Sequence, residues 1–328
     1  MEKPRFVGLD VGGSTMKGGV VDDAGQVLAS VNLPTEAHRG QEFGLERMCE
    51  TIRLAVNTAG LTLEQIAGIG VATPGTMDIP AGIILDPPNL KPWQNVPVRQ
   101  HIEGVFHKPT AFQNDANAAA LGEFWVGAGK GTHSMVLYTL GTGVGGGIVI
   151  GNHVLQGEHS HGAELGHMKI EMTTPRQCGC GRWGCLEAYA SATAVVKRAE
   201  EALNAGTKSS LTGLTAELSA RDVFEAAQAG DALSDKIVEE TAYYLAVGTT
   251  NMLHTVDPDM VVFAGGMIAA GENLLERIRK YVKELAFPVP AEKCQLCYAK
   301  LGNDAGFIGA AGCARLLTSG QSTGSPKS

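Results

Sequence analysis

No apolar run in this 328-residue sequence approaches the ~18 residues that a membrane-spanning helix needs. No membrane partner is expected. No cluster of Lys and Arg occurs either, and the formal net charge is -8. Duplex-binding proteins neutralise phosphates with a basic patch, so no nucleic-acid partner is expected. The first residues, Met1-Glu-Lys-Pro-Arg-Phe6, run straight into a strand-like stretch without the apolar core of a secretory signal, and a cytoplasmic protein is the expectation. The seven cysteines are odd in number, and three of them fall between positions 178 and 185. In an intracellular chain such crowding points to metal binding rather than disulfides. Neither of the two Gly-rich turns that follow strand-like runs, at 10–15 and 141–147, fits the P-loop pattern or the dinucleotide fingerprint.

What is present is a soluble globular composition, 44% hydrophobic and 18% charged, in a chain long enough for two separate cores. Phe6–Leu9 reads as a strand, followed by Asp10-Val-Gly-Gly-Ser-Thr15. Met16–Val21 is the next strand, and Asp22-Asp-Ala-Gly25 is the turn after it. Phe43–Ala59 has helical spacing, with Leu45, Met48, Ile52 and Val56 on one face and Gly60 as its stop. Ile66–Val71 reads as a buried strand ending at Thr73-Pro-Gly75. The second half opens similarly: strand Ser134–Leu140, turn Gly141-Thr-Gly-Val-Gly-Gly-Gly147, strand through Ile150, then a Gly-Asn turn. Ala232–His254 reads as a long helix and Met260–Ala264 as a strand ending at Gly265-Gly266. This weak repeat suggests a duplicated domain. Alternating strands and helices predict an α/β fold, with ligands at the C-terminal ends of its strands.

The Gly-rich turns lie at such strand ends. Phosphate oxygens approach backbone N–H groups closely only where side chains are missing, and glycine also permits the positive φ angles that aim those groups inward. Gly12, Gly13, Gly141, Gly143 and Gly145 suit this, with hydroxyls from Thr15 and Thr142. Asp10 is placed to hold Mg²⁺ through water, and Lys17 to pair with a phosphate. A tight hairpin alone would explain either turn; two matched turns plus Gly265-Gly266 favour a nucleotide.

Cys178-Gly-Cys180-Gly-Arg-Trp-Gly-Cys185 is the sharpest local signal. Three thiolates on a Gly-rich knuckle wrap one tetrahedral ion, and a fourth ligand must come from elsewhere. His167 is the first candidate, with His161 and His159 as rivals. A closed Cys₃His set is a structural zinc arrangement, without the open position of a catalytic site. The Cys294-x-x-Cys297 pair lies in a strand-like run with no second pair near it, so neither metal nor redox chemistry is expected there. Asn114-Asp115 precedes a helix-favouring stretch, Ala116–Phe124. Alone, Asp115 would be a helix cap at or near that helix start. Glu164 and Glu187 bracket the knuckle, and fixed carboxylates, an amide and a histidine suit a polyhydroxylated ligand.

These residues resemble the ROK family (repressors, open reading frames and sugar kinases) of the actin-like ATPase superfamily, most of all its bacterial glucokinases. The resemblance runs from Asp10-Val-Gly-Gly-Ser-Thr to about Gly312. It is carried by Thr73-Pro-Gly75, Pro88-Asn-Leu90, Asn114-Asp115, Leu140-Gly-Thr-Gly-Val-Gly-Gly-Gly147, and Glu164-Leu-Gly-His167 with Cys-Gly-Cys-Gly-x-x-Gly-Cys-x-Glu187. His159-Ser-His161 and Ser14 depart from the family's usual residues.

The resemblance implies a two-domain actin-like ATPase (ribonuclease H-like) fold with duplicated phosphate hairpins and an interdomain cleft. The expected small domain is 1–113 with 302–317, the large one 114–301, and 318–328 a disordered tail. The implied reaction is ATP-dependent phosphorylation of a hexose, glucose first, with Asp115 as general base. Other hexoses, N-acyl amino sugars and a non-catalytic sugar sensor are the alternatives. An N-terminal helix-turn-helix, as in the family's repressors, is not expected ahead of the Phe6 strand. Gly75, Asn89, Asn114, Asp115, Glu164, His167 and Glu187 would contact the sugar. Asp10, Gly12, Gly13, Thr15, Lys17, Gly141, Thr142, Gly143, Gly265 and Gly266 would surround Mg²⁺ and ATP. His167, Cys178, Cys180 and Cys185 would hold structural Zn²⁺. A homodimer or homotetramer is implied.

Overall fold

The computed structural model describes residues 3–213 and 217–320. The chain opens with β1 (Arg5–Val11), β2 (Thr15–Asp22) and β3 (Val27–Pro34), then α1 (Gln41–Thr58) and β4 (Ile66–Thr73). A small hairpin, β5 (Thr76–Asp78) and β6 (Ile83–Asp86), precedes α2 (Val98–Phe106), β7 (Thr110–Asn114) and α3 (Asp115–Val126). The second half begins with β8 (Ser134–Leu140), β9 (Val144–Ile150) and β10 (His153–Val154). After them come α4 (Glu187–Ala190), α5 (Ala192–Asn204), α6 (Ala220–Gln228), α7 (Ala232–Thr255) and β11 (Met260–Ala264). The chain closes with α8 (Glu272–Leu285), α9 (Pro288–Lys293), β12 (Gln295–Tyr298) and α10 (Ala305–Thr318).

The repeat suspected from the sequence is a repeat of topology. One five-stranded sheet has the order β3-β2-β1-β4-β7, the other β10-β9-β8-β11-β12. Each places a three-strand meander beside two further strands, and β1–β4, β4–β7 and β11–β12 pair in parallel. By packing, the chain divides into two compact units. The first holds the chain through Met135, Gly147–Ala163 and the chain from Lys300 on; the second holds Val136–Gly146 and Glu164–Ala299. The sequence placed a boundary at 113/114, whereas here α3 packs with the N-terminal unit, against α10.

The first unit shows why its sequence folds this way. β4 is buried along nearly its whole length, as parallel strands covered on both faces are. On α1, Leu45, Met48, Ile52 and Val56 are all buried, each contributing about 1.5–3 kcal/mol by leaving water. Helix α10 lies backbone-to-backbone on the sheet and on α3. A Cβ at Gly8 would sit 1.8 Å from the Phe307 carbonyl oxygen, one at Gly70 1.7 Å from that of Ala310, and one at Gly309 1.6 Å from that of Ala118. Glu123 on α3 is fully buried. Its carboxylate accepts from the backbone N–H groups of Ala128 at 2.7 Å, Lys300 at 3.0 Å and Leu301 at 2.7 Å, which satisfies the buried charge and ties the segment before α10 to α3.

Two expectations need correction. The stretch 141–147 is a turn only over 141–143, because Gly145–Gly147 belong to β9; Gly147 has no room for a side chain against Ala120 and the Ala116 carbonyl. The C-terminal helix runs through Thr318, earlier assigned to a disordered tail; residues 321–328 lie outside the described residues. Among the described residues no helix is long and apolar enough to cross a membrane.

Candidate active site

In the first unit, β1 carries Asp10 to the turn that joins it to β2. Gly12 N–H donates to the Thr15 carbonyl at 2.9 Å and closes the turn. The Thr35 hydroxyl donates to the Gly12 carbonyl at 2.7 Å, and Thr35 N–H to that of Ser14 at 2.9 Å. The amides of Gly13 and Ser14 remain for a ligand. Lys17 pairs across the hairpin with Asp10 by register, but its ammonium forms an ion pair with Asp304 and lies 5.7 Å from the centre of the Phe307 ring. Burial pushes the Asp10 carboxyl up to about 7, with the nearby Asp115 charge adding to the shift and Lys17 opposing it. A buried carboxylate beside a second one is a site that a cation would relieve.

Asp115 was expected at or near the cap of α3. The cap is Asn114, whose Oδ1 accepts from Ala116 N–H at 3.0 Å and Asn117 N–H at 3.2 Å. Asp115 is the first helical residue, and its Oδ1 also accepts from Ala116 N–H, at 2.8 Å. Gln113, itself buried, steadies the junction: its Oε1 accepts from Asn114 N–H at 2.9 Å and Asn117 Nδ2 at 3.3 Å. Asn89 lies in a 3₁₀ turn, Pro88–Leu90, against the first phosphate turn; a Cβ at Gly13 would sit 3.0 Å from its carbonyl oxygen. Gly75 takes φ 90°, and a Cβ there would meet the Pro87 backbone at 2.6 Å.

In the second unit, Gly141 N–H donates to the Gly143 carbonyl at 3.0 Å. The Gly141 and Thr142 carbonyls accept from Ala192 N–H at 2.9 Å and the Thr193 hydroxyl at 2.8 Å. Val144 N–H donates to Glu187 Oε2 at 2.9 Å, and among the described residues the amides of Thr142 and Gly143 have no hydrogen-bond partner. Gly265 has φ 91°, and a Cβ there would lie 2.4 Å from the Leu140 carbonyl oxygen. A cavity of about 380 Å³ opens from Thr142 and is lined by Arg221, Phe224 and Gln228 of α6 and by Gly266 and Met267. The sequence reading missed the α6 residues. Nothing but an ordinary amphipathic helix marks them, and only the tertiary fold brings them to the turn.

The zinc-type residues converge in the same unit. Nδ1 of His167 and the sulfurs of Cys178, Cys180 and Cys185 all lie within 4.8 Å of one another. The Cys180 and Cys185 sulfurs are 3.8 Å apart, and Cys178 Sγ is 3.9 Å from His167 Nδ1. Zinc–sulfur bonds of about 2.3 Å around a tetrahedral ion put two sulfurs ~3.8 Å apart, so the cage has the right size. Of the three candidate histidines, His167 is the one in this cluster. Burial, with the Glu187 carboxylate adding to it, pushes the Cys178 thiol above its usual range, and Lys169 Nζ lies 2.8 Å from Cys185 Sγ. Glycines shape the knuckle: Gly181 and Gly184 take φ 79° and 73°, and a Cβ at Gly184 would sit 2.2 Å from the Glu171 carbonyl oxygen. Glu187 begins α4, and its Oε1 lies 3.2 Å from Cys178 Sγ. Glu164 directly precedes the short 3₁₀ turn Leu165–His167, without a capping hydrogen bond from its side chain. Cys294 and Cys297 belong to no such cluster, and burial pushes the Cys294 thiol up to about 12.

Three comparisons bear on this arrangement. A glucokinase from Halalkalibacterium halodurans is 36% identical over 307 residues, 93% of each chain. The crystal structure of a ROK hexokinase from Thermus thermophilus superposes with TM-score 0.84 at 34% identity, covering 96% of this chain and 99% of that one. That of a ROK family glucokinase from Streptomyces griseus in complex with glucose and AMPPNP gives TM-score 0.76 at 32% identity, covering 95% and 99%. The fold is therefore the actin-like ATPase fold that the sequence led us to expect. The ROK family matches residues 6–316, nearly the whole described chain, and with the shared topology, turns and Cys/His knuckle this makes the protein a member of the ROK family.

Proposed function

We propose that the protein is an ATP-dependent glucokinase in which Asp115 is the general base. The observation that carries this reading is the start of α3. Asn114 performs the capping, so the helix does not depend on Asp115 for its cap, and Asp115 stands near enough to Asp10 for their charges to interact. A glucokinase relative and a glucokinase that binds glucose and AMPPNP support the substrate pair.

Asp115 would take the proton of the sugar O6 hydroxyl as that oxygen attacks the γ-phosphorus. The O6–P bond forms, the bond to the β–γ bridging oxygen breaks, and ADP departs with the electron pair. A positioned base is worth about 10²–10⁴ in rate. The open amides of Gly13, Ser14, Thr142 and Gly143, with the Thr15 and Thr142 hydroxyls, would meet the charge on the phosphates. Asp10 would hold Mg²⁺ of Mg·ATP through water, and Gly12, Gly141, Gly265 and Gly266 would shape the turns. The adenosine would enter the cavity beside Phe224 and Met267. Lys17, committed to Asp304, would act on the phosphates only by its charge.

Gly75, Asn89, Asn114 and Asp115 would contact sugar hydroxyls, as would Glu164, His167 and Glu187. His167, with Nδ1 turned to the thiols, would offer Nε2 to a hydroxyl. Zinc held by His167, Cys178, Cys180 and Cys185 would serve a structural role. The proposed setting is the cytoplasm, in sugar breakdown, as a homodimer or homotetramer. Asp115→Asn tests the base: kcat is expected to fall by about 10²–10⁴ while glucose affinity, AMPPNP affinity and metal content persist. A kcat near that of the wild type would remove Asp115 from this role.

A further inference from the structure

Glu187 occupies a position that a sugar contact alone does not explain. Its Oε2 accepts the Val144 N–H at 2.9 Å, at the residue where the Gly141–Gly143 turn enters β9. Gly143 has no space for a side chain, because a Cβ there would lie 2.3 Å from Glu187 Oε2. The carboxylate therefore fills the underside of the turn and consumes one of its amides. At its other end Glu187 is fixed by the knuckle. Cys185 pairs with Lys169 in an isolated bridge, Leu186 N–H donates to the Met168 carbonyl at 2.9 Å, and Ala188 N–H donates to the Cys185 carbonyl at 3.0 Å. Met168 and Lys169 directly follow His167. The Cys/His knuckle and the second phosphate turn thus share one rigid strut.

We infer that Glu187 positions the second phosphate turn, so that nucleotide affinity depends on this residue of the knuckle, and sugar affinity depends on the absence of a side chain at position 143. The inference rests on the kinase reading and deepens it by coupling two ligands through one side chain. Linkage requires such coupling to be reciprocal. The carboxylate acts here as a hydrogen-bond acceptor, and a glutamine keeps an acceptor oxygen of the same reach.

The test is titration calorimetry of Mg·AMPPNP into sugar-free protein, with metal content measured in parallel. Wild-type protein that fails to bind AMPPNP would remove the kinase reading and this inference with it. If wild type binds, Glu187→Ala is expected to bind about 5- to 10-fold more weakly, the size of one lost hydrogen bond to a backbone amide. Glu187→Gln is expected to recover to within about twofold of wild type. Equal affinity in wild type and Glu187→Ala would overturn the inference, as would a Gln variant as weak as Ala. Should Glu187→Ala lose its metal, Gly143→Ala carries the test, since it changes none of the four Cys and His side chains. It is expected to weaken glucose binding at unchanged metal content, and unchanged glucose affinity would overturn the inference.

Discussion

The two phosphate turns stand at equivalent places in two sheets of the same strand order, yet each is built with a different carboxylate. The turn after β1 carries its own, Asp10, inside the strand. Burial and Asp115 push that group up to about 7, a strain that a cation there would relieve. The turn after β8 has Leu140 at its strand end and borrows a carboxylate from outside, Glu187, which accepts a backbone N–H instead of facing a cation. The two hairpins thus present backbone amides twice, with a buried carboxylate inside the strand at one turn and a carboxylate bound to a backbone N–H at the other. The Cys/His knuckle adjoins the second turn through Glu187, and among the described residues the first turn has no such cluster beside it.

The comparison breaks most severely at the knuckle. Cys180→Ser is expected to lose the metal, and glucose affinity is expected to fall at least about tenfold as His167, Glu164 and Glu187 lose their support. Structural zinc contributes ~10–16 kcal/mol in small sites, far more than one hydrogen bond. Elemental analysis together with glucose titration checks this, and full zinc occupancy in the variant would take Cys180 out of the ligand set.

A smaller effect is expected at the first turn. The unfolded chain releases the Asp10 proton near its ordinary value of 3.8, while the folded protein holds it to about 7. Between those values the unfolded state binds fewer protons, so this group's contribution to stability falls as pH rises through the window and is level above it. Asp10→Asn should therefore melt higher than wild type in ligand-free protein, with a gap that widens from about pH 4 to about pH 7. Thermal melts across that range check the expectation, and a gap independent of pH would contradict the burial argument. Together the two variants probe the buried carboxyl of the first turn and the knuckle beside the second separately.

Much of this was legible in the sequence where chemistry is local. Cysteine spacing announced the knuckle because three of the four clustered side chains sit on one short loop. The strand-turn-strand repeat announced two equivalent sheets because hairpin signals are also local. The face of α1 followed from helical periodicity alone. Other features depend on contacts between distant segments. The run of glycines at 145–147 looked like more turn, but it belongs to β9, and Gly147 makes way there for Ala120 and the Ala116 carbonyl of α3. Lys17 looked like a phosphate ligand until Asp304, nearly the whole chain away, claimed it. Arg221 and Phe224 carry no motif at all.

The central claim is ATP-dependent phosphorylation of glucose, and sugar-dependent ADP release from Mg·ATP across a panel of glucose, mannose, fructose, allose, N-acetylglucosamine and N-acetylmannosamine tests it most directly. The predicted result is the highest kcat/KM with glucose, with one glucose 6-phosphate formed per ADP. ADP release that no sugar increases, or a clear preference for an N-acyl amino sugar, would contradict it.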